Sequence, residues 1–545
     1  MPPLRKSKES PSTVSATMRR KRSSCGIPGT MVWAASLLLL LPLRIGADSL
    51  WEENRTAIAP GITLTRITRA AASNDAYWTI GVLIPTQVNS LSLLASQDRA
   101  REIAVKLRES GFDAKVREER NPEYRDLPAG TLGYSVRVGR YDTREAAAAA
   151  MPALSGLGYR AMVLFTGDDG DTAVGPLEIR VLTVDPDLFR GEITPAYGRW
   201  IVGRTKTSAL ADEWDALAAV NAGFFVMSGS DGAPGEPAGV LIKDGKLLSE
   251  ATNGRIAMCM FNSPGRGPRV SFEHLTTTMH IAVGEDGRHT VDGINRKPGL
   301  IRNCGGTGDT PTDSPRHDFT CKDADELIVI TPEFGAAAPA GDGIEAVVDE
   351  SGIVTQIRGR EGGAVPDGRL LIQGIGSEAA WLSSNLAPGT KVRLEVSISD
   401  SRGRRVEFGA GDSAINGGPG LVANGRREIS PVADGLVHPD DPSFFLRWGI
   451  RRNPRTMAGV DSRQRILLVT VDGHQPGRSV GMSLIEAADL MVRLGAVTAM
   501  NLDGGGSTAM VVSGKLVNSP SDPAGERPVG DAVLIRSVPL ERAVP

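Results

Sequence analysis

Near the C-terminus the run "NLDGGGST", Asn501 to Thr508, places a carboxylate, three consecutive glycines and two hydroxyls side by side. Glycines let a backbone approach a ligand closely and present N–H donors to an anion. The stretch could be a phosphate loop, a hairpin turn or the floor of an active site. A nucleotide phosphate loop needs a Lys after the glycines and a helix beyond it. Here Thr508 leads into "AMVVSGKLV", which is β-type with a Ser-Gly turn. The segment therefore reads as a strand-turn-strand corner lining a cleft, with a purely structural turn as the plainer alternative.

Upstream, "RILLVTVDG" reads as a strand over Ile466 to Val471 that ends at Asp472. Ser483 and Glu486 have capping-box spacing, so a helix starts there, supported by Ile485, Leu490, Leu494 and the stop at Gly495. Val497 to Leu502 forms the next strand. A strand-helix-strand unit of this length predicts a right-handed crossover between parallel strands. Asp472, Asn501 and Asp503 are then expected on one sheet edge, where open sheets place ligands. Four more stretches carry polar residues at strand ends: "AAVNAGFF" with Asn221, "INGGPGLVANGR" with Asn416, "NPRTMAGV" with Arg455 and "ERPVGDAVLI" with Arg527. An Asn at a strand end is as often a turn former as a ligand contact.

The elements that must position these residues divide the chain. Over 77–167 a strand-helix-strand pattern occurs twice: "YWTIGVLI", "SQDRAREIAVKLRESG", "FDAKVREE", then "GYSVRVGRY", "TREAAAAAMPALSGLG", "YRAMVLFTG". Each helix stops at a glycine, Gly111 or Gly158, as helix C-termini favour. Two such halves predict a ferredoxin-like sandwich. Residues 176–540 alternate strand-like runs with Gly/Pro turns and few helices, which predicts one large mixed-sheet α+β domain. Residues 48–76 read as a linker with a leading strand at 61–68. A chain of 545 residues with 41% hydrophobic and 23% charged residues is globular and multidomain. Its 64 glycines exceed the usual ~7% and indicate many turns. A net charge of −3 gives no reason to expect a nucleic-acid partner.

The N-terminus is basic, with Lys6, Lys8, Arg19, Arg20, Lys21 and Arg22, followed by the apolar run "MVWAASLLLLLPL". This short run with a small residue at Ala47 predicts a secretory signal over 1–47 cleaved after Ala47; Ile45 suits cleavage poorly, which leaves an uncleaved membrane anchor open. Of the four cysteines, Cys25 precedes the apolar run. Cys304 and Cys321 bracket a polar loop, and in an exported chain that spacing favours a disulfide contributing on the order of 3 kcal/mol. A metal reading of Cys304, His317 and Cys321 lacks a fourth ligand nearby. Cys259, inside "IAMCMF", reads as a buried thiol.

Two resemblances follow from these motifs. The segment "YSVRVGRYDTREAA" and its duplicated frame resemble the SPOR domain, which implies binding to peptidoglycan strands lacking stem peptides. The segments "NAGFF", "NGGPGLV", "NPRTMAGV", "VDGHQPGRSVGMSLIEAADLM", "NLDGGGSTAMV" and "RPVGDAVLI" resemble the phosphodiester glycosidase (uncovering-enzyme-like) family. One departure is His474, at a position where Arg is common in that family. The resemblance implies hydrolysis of a sugar-1-phosphodiester, such as an N-acetylglucosamine-1-phosphodiester, in an envelope or exopolysaccharide glycan. It leads us to expect Asp503 as nucleophile or base with Asp472 as its partner. Asn221, Asn416 and Asn501 are expected on the sugar or the anion, and Arg455 and Arg527 on the phosphate. Gly504, Gly505, Gly506, Ser507 and Thr508 would complete the anion pocket. Glu486 stays open between helix cap and catalytic carboxylate. No dedicated cofactor or metal motif is present, and a divalent cation on Asp472 or Asp503 is left open. A non-catalytic envelope glycan-binding protein and a phosphodiesterase cleaving P–O are the competing readings.

Overall fold

The structure is a computed structural model and describes residues 51–71, 75–86, 91–170, 175–285, 287–306, 312, 315–438 and 441–537. The signal or anchor expected at 1–47 lies outside the described residues.

The leading segment does more than link. Strands Trp51–Ala59 and Ile62–Arg69 form a hairpin, turned at Gly61 with φ +77°. The second strand pairs along its whole length with Leu177–Val184. Alternating apolar and polar residues in "ITLTRITR" suit a strand with one packed face.

Residues 78–165 hold a separate sheet with two helices. The antiparallel order is Ala114–Asn121, Gly130–Tyr141, Trp78–Pro85, Arg160–Phe165. Helix Gln97–Glu109 starts at Ser96, whose hydroxyl accepts from Arg99 N–H, and helix Arg144–Gly156 starts at Thr143 in the same way. Ala100, Ile103, Ala104 and Leu107 form the buried stripe of the first helix at helical spacing. They pack on Ile80, Val82, Val136 and Val138 from the sheet.

The remainder is built from mixed sheets with few helices. An eight-stranded sheet runs from the N-terminal hairpin through Leu177–Val184, Ile466–Val471, Arg455–Asp461 and Ala496–Asn501 to Gly420–Ala423 and Arg426–Arg427. A five-stranded sheet includes Met510–Val512, Ala218–Asn221 and Ala532–Arg536, and a seven-stranded sheet includes Ser413–Asn416 and Arg255–Phe261. One core joins all three: Leu182, Leu468 and Met500 meet Val220 and Val533, and both meet Met258 and Ile415. The helix Leu484–Arg493 carries the expected capping box and packs Leu484, Ala487, Ala488 and Met491 on the other face of the large sheet.

The expected crossover is modified. Ile466–Val471 and Ala496–Asn501 run parallel, but Arg455–Asp461 lies between them, antiparallel to both. Their C-terminal ends still reach the same edge. Cys304 and Cys321 form a disulfide, which removes both sulfurs as metal ligands. Cys259 is a buried free thiol.

Candidate active site

At the edge where Ala218–Asn221, Ser413–Asn416, Ala496–Asn501 and the start of Arg455–Asp461 converge lies a cavity of about 260 Å³. Phe224, Phe225, Phe444 and Trp448 contribute aromatic wall; Asn501, Asp503, Gly504, Gly505, Ser507, Arg455 and Arg527 contribute the polar part.

Each strand end is tied to another by an asparagine. Asn221 Nδ2 donates to the Asp503 carbonyl at 2.7 Å, while its Oδ1 accepts from Thr456 Oγ1 at 2.6 Å and Ala509 N–H at 3.1 Å. Asn416 Oδ1 accepts from Phe224 N–H at 2.8 Å and its Nδ2 donates back to the Phe224 carbonyl at 3.3 Å. These two side chains are consumed inside the protein and hold the rim. Asn501 Nδ2 donates to the Gly418 and Leu502 carbonyls, at 3.0 and 2.6 Å, but its buried Oδ1 has no partner. Of the three asparagines, Asn501 alone lines the cavity.

The glycines have separate reasons. Gly505 takes φ +60°, a conformation L side chains rarely adopt. A Cβ on Gly506 would stand 2.1 Å from Arg527 Nη2 and 2.2 Å from Asp522 Oδ1. Gly506 and Thr508 do not line the cavity; the glycine makes room for Arg527, and Thr508 is buried with Oγ1 unpartnered.

Asp503 sits at the floor. Burial pushes its carboxyl up to about 6, against the Ser507 hydroxyl, Arg527 and the Gly504 N–H, which favour the ionised form. The Gly504 N–H donates to Oδ1 at 2.9 Å. Arg527 is clamped by Asp522, with Nε and Nη2 at 2.7 and 2.8 Å from its oxygens. Arg455 Nε donates to the Met482 carbonyl at 2.9 Å and Nη2 to the Trp448 carbonyl at 2.6 Å. No described carboxylate ion-pairs with it; burial lowers it to about 10, with Glu486 acting on it only through space, so it enters the cavity without a direct counter-ion. An anion is the natural complement of such a group.

Two expected catalytic carboxylates are not brought to the cavity. Asp472 accepts from Asn518 Nδ2 at 3.1 Å and from Ser519 N–H at 3.0 and 3.1 Å. It anchors the start of the loop that runs on to Asp522 and Arg527. Glu486 completes the capping box, accepting from Ser483 N–H at 3.0 Å, and binds Arg452 Nε at 2.9 Å and Nη2 at 2.8 Å. His474 lies on the loop after Asp472 at φ +56°, outside the cavity lining.

Sequence reasoning does not assign two residues here: it leaves Asp531 unnamed and reads His317 only as a metal ligand. Asp531 is buried behind Gly223, whose N–H donates to Oδ1 at 2.6 Å; burial, then the Asp503 charge, push it up to about 7. It stands in "RPVGDAVLI", the motif quoted for Arg527, and that was the available signal. His317 lines the cavity, and nothing in the local sequence indicated its direction. Among the described residues no group of three or more His, Cys, Asp or Glu could hold a metal ion.

Residues 342–536 match the phosphodiester glycosidase family and residues 87–164 match the SPOR domain. A putative exported protein from Burkholderia pseudomallei K96243 superposes with a TM-score of 0.81 at 30% identity, covering 93% of this chain and 100% of that one. A hypothetical protein from Synechocystis shares the fold, with a TM-score of 0.51 at 18% identity over 89% of this chain and 79% of that one. Over 103 residues the chain is 41% identical to N-acetylglucosamine-1-phosphodiester alpha-N-acetylglucosaminidase of Bos taurus, 19% of each sequence. The chain thus spans about a fifth of the length of that curated relative.

Proposed function

We propose that this chain, whose residues 342–536 match the phosphodiester glycosidase family and whose residues 87–164 match the SPOR domain, hydrolyses a sugar-1-phosphodiester in an envelope or exopolysaccharide glycan. The observation that carries this reading is the meeting of the Asp503 carboxylate with Arg455, which has no ion-pair partner, and with Arg527 in a single aromatic-walled cavity, whose other aspartate, Asp318, is paired with Arg302. The similarity to the bovine N-acetylglucosamine-1-phosphodiester alpha-N-acetylglucosaminidase supports an N-acetylglucosamine-1-phosphodiester as the first substrate to try.

In this reading Arg455 and Arg527 hold the phosphodiester, and the Gly504–Gly505 backbone and Ser507 approach its oxygens. The bond from the anomeric carbon to the phosphate oxygen breaks and the electron pair leaves with the phosphomonoester. That group has a second pKa of about 6, so it departs with little help from an acid. Asp503 stabilises the oxocarbenium-like centre and takes the proton of the attacking water, or attacks first itself. Asp531, rather than Asp472, is the second carboxyl near enough to feel the Asp503 charge. Two carboxyls whose surroundings set them apart are suited to different protonation states.

We read residues 77–167 as a ferredoxin-like, peptidoglycan-binding module and 176–540 as the catalytic domain. Export to the envelope is supported by the SPOR match and by the exported structural neighbour. The test is a panel of sugar-1-phosphodiesters run in ¹⁸O water, with a pull-down on denuded peptidoglycan. Label in the sugar supports glycosidic cleavage, label in the phosphate indicates P–O cleavage, and no turnover leaves a glycan-binding protein. Asp503→Asn is expected to lower kcat by about 10³-fold in a folded protein; wild-type activity would remove it from the mechanism.

A further inference from the structure

The reaction above uses neither His317 nor Arg255, and both are anomalous. Neither ring nitrogen of His317 has a hydrogen-bond partner, and both are buried. All three guanidinium nitrogens of Arg255, a residue 4% exposed, are likewise unpartnered. Buried polar groups are nearly always satisfied, so an orphan in a cavity wall indicates a partner supplied from outside. Arg255 lies next to His317 and Gly435: a Cβ on Gly435 would stand 2.7 Å from Arg255 Nη2. Asp434 is its nearby counter-charge but is spent on the Gly420 and Ile256 N–H groups, at 3.0 and 3.4 Å.

The position of His317 is fixed from several sides. Its N–H donates to the Gly435 carbonyl at 2.8 Å, and the next residue, Asp318, donates to Asn303 Oδ1 at 2.6 Å. The Cys304–Cys321 disulfide closes the loop that carries it. Its ring meets Phe224 edge-on with centroids 4.1 Å apart. Burial, followed by the Arg255 charge, holds the imidazole well below its ordinary range. A neutral imidazole offers one donor and one acceptor, which is the complement of a sugar hydroxyl. Asn501 Oδ1, a second orphan in the same cavity, accepts only.

We propose that His317 is a substrate-contacting residue that reads hydroxyl groups of the sugar bound in this cavity, with Asn501 Oδ1 taking a second ligand donor. This rests on the glycosyl-phosphodiester reading, and it assigns the disulfide loop a share in substrate choice.

Two variants separate recognition from packing. His317→Phe keeps an aromatic ring and removes both polar atoms; His317→Gln keeps a donor and an acceptor. On the best sugar-1-phosphodiester of the panel, His317→Phe is expected to lose about 10- to 100-fold in kcat/KM, with His317→Gln recovering most of it. A monodeoxy analogue lacking the contacted hydroxyl is expected to show no further loss with His317→Phe. Equal kcat/KM for wild type and His317→Phe, or the same loss on every deoxy analogue, overturns the proposal. Calorimetric binding of the free sugar and its 1-phosphate decides the matter without turnover, so failure of the hydrolase reading stays distinguishable. At least tenfold weaker binding by His317→Phe supports the assignment. Unchanged binding, or no binding to wild type, overturns it.

Discussion

Two regions flank the segment 446–455, and they treat charge in opposite ways. On one side the sheet of the 78–165 module faces it. There Asp169 accepts from Arg117 at 2.9 Å, from Arg137 at 2.5 and 3.1 Å, and from Arg451. Glu119 takes Arg137 at 2.9 Å and Ser135 at 2.6 Å, and Arg452 donates to the Gly167 carbonyl at 2.8 Å. The exceptions are Arg137 Nε, which is buried without a partner, and Asp168, whose Oδ1 is unpartnered and whose carboxyl burial pushes up to about 7. On the other side, in the cavity, Arg455 has no ion-pair partner, and Asn501 and His317 have free polar atoms. A network closed on itself holds the structure together; one left open is completed by a ligand. The same short segment serves both, with Arg451 and Arg452 toward the module and Trp448 and Arg455 toward the cavity.

The sharpest way to break this contrast is at the closed network. Asp169→Asn leaves three guanidinium groups short of a counter-charge and is expected to cost about 3–5 kcal/mol in denaturant unfolding. A change below 1 kcal/mol would place the network among weak surface pairs. Removing the disulfide with paired Cys304→Ala and Cys321→Ala is expected to cost on the order of 3 kcal/mol and to raise KM through the loop carrying His317. If only stability falls and KM is unchanged, the loop is structural alone. At the open side, Arg455→Met is expected to lower kcat/KM by about 10²-fold, near 2.7 kcal/mol, while the unfolding midpoint holds or rises. A large stability loss without an activity effect would erase the distinction between the two regions.

The smallest effects are in pH. Asp503 and Asp531 are raised in the folded protein, to about 6 and about 7. The native state therefore holds protons that the unfolded chain has released above pH ~4. Their contribution favours folding in acid and is lost as pH rises from about 4 to 7, by up to about 1.4 kcal/mol per unit for each carboxyl titrating. Asp531→Asn is expected to flatten that fall, followed by thermal unfolding across pH. It is expected to leave the acid limb of kcat/KM in place, since Asp531 is still protonated in the range where Asp503 titrates.

What the sequence made legible was local. The capping box at Ser483 and Glu486 follows from a three-residue spacing, and the Cys304–Cys321 pair from loop length and export. The strand ends at Asn221, Asn416 and Asn501 were recognisable from apolar runs stopping at polar residues. The direction of a side chain at a strand end was not. Asp472 lies at the expected edge, yet its carboxylate turns to Asn518 and Ser519, because the loop beyond Met510–Val512 returns past it. His317 reaches the cavity, and Asp531 comes within range of the Asp503 charge behind Gly223, through contacts distant in sequence, which no spacing rule encodes. Glu486 illustrates the reverse: both oxygens are taken up by the helix start and Arg452, so its local role leaves nothing for chemistry.

The pairing of Ile62–Arg69 with Leu177–Val184 has a mechanical consequence. The chain leaves the large sheet after one strand and returns to it in the adjacent strand, so the SPOR module is an excursion anchored at both ends, not a bead on a leash. It is also held from the side, since Asp169 accepts from both Arg137 of the module and Arg451 of the large domain. Its two ends therefore enter and leave through neighbouring strands of one sheet, and its distance from the cavity follows from the fold and not from the statistics of a single tether.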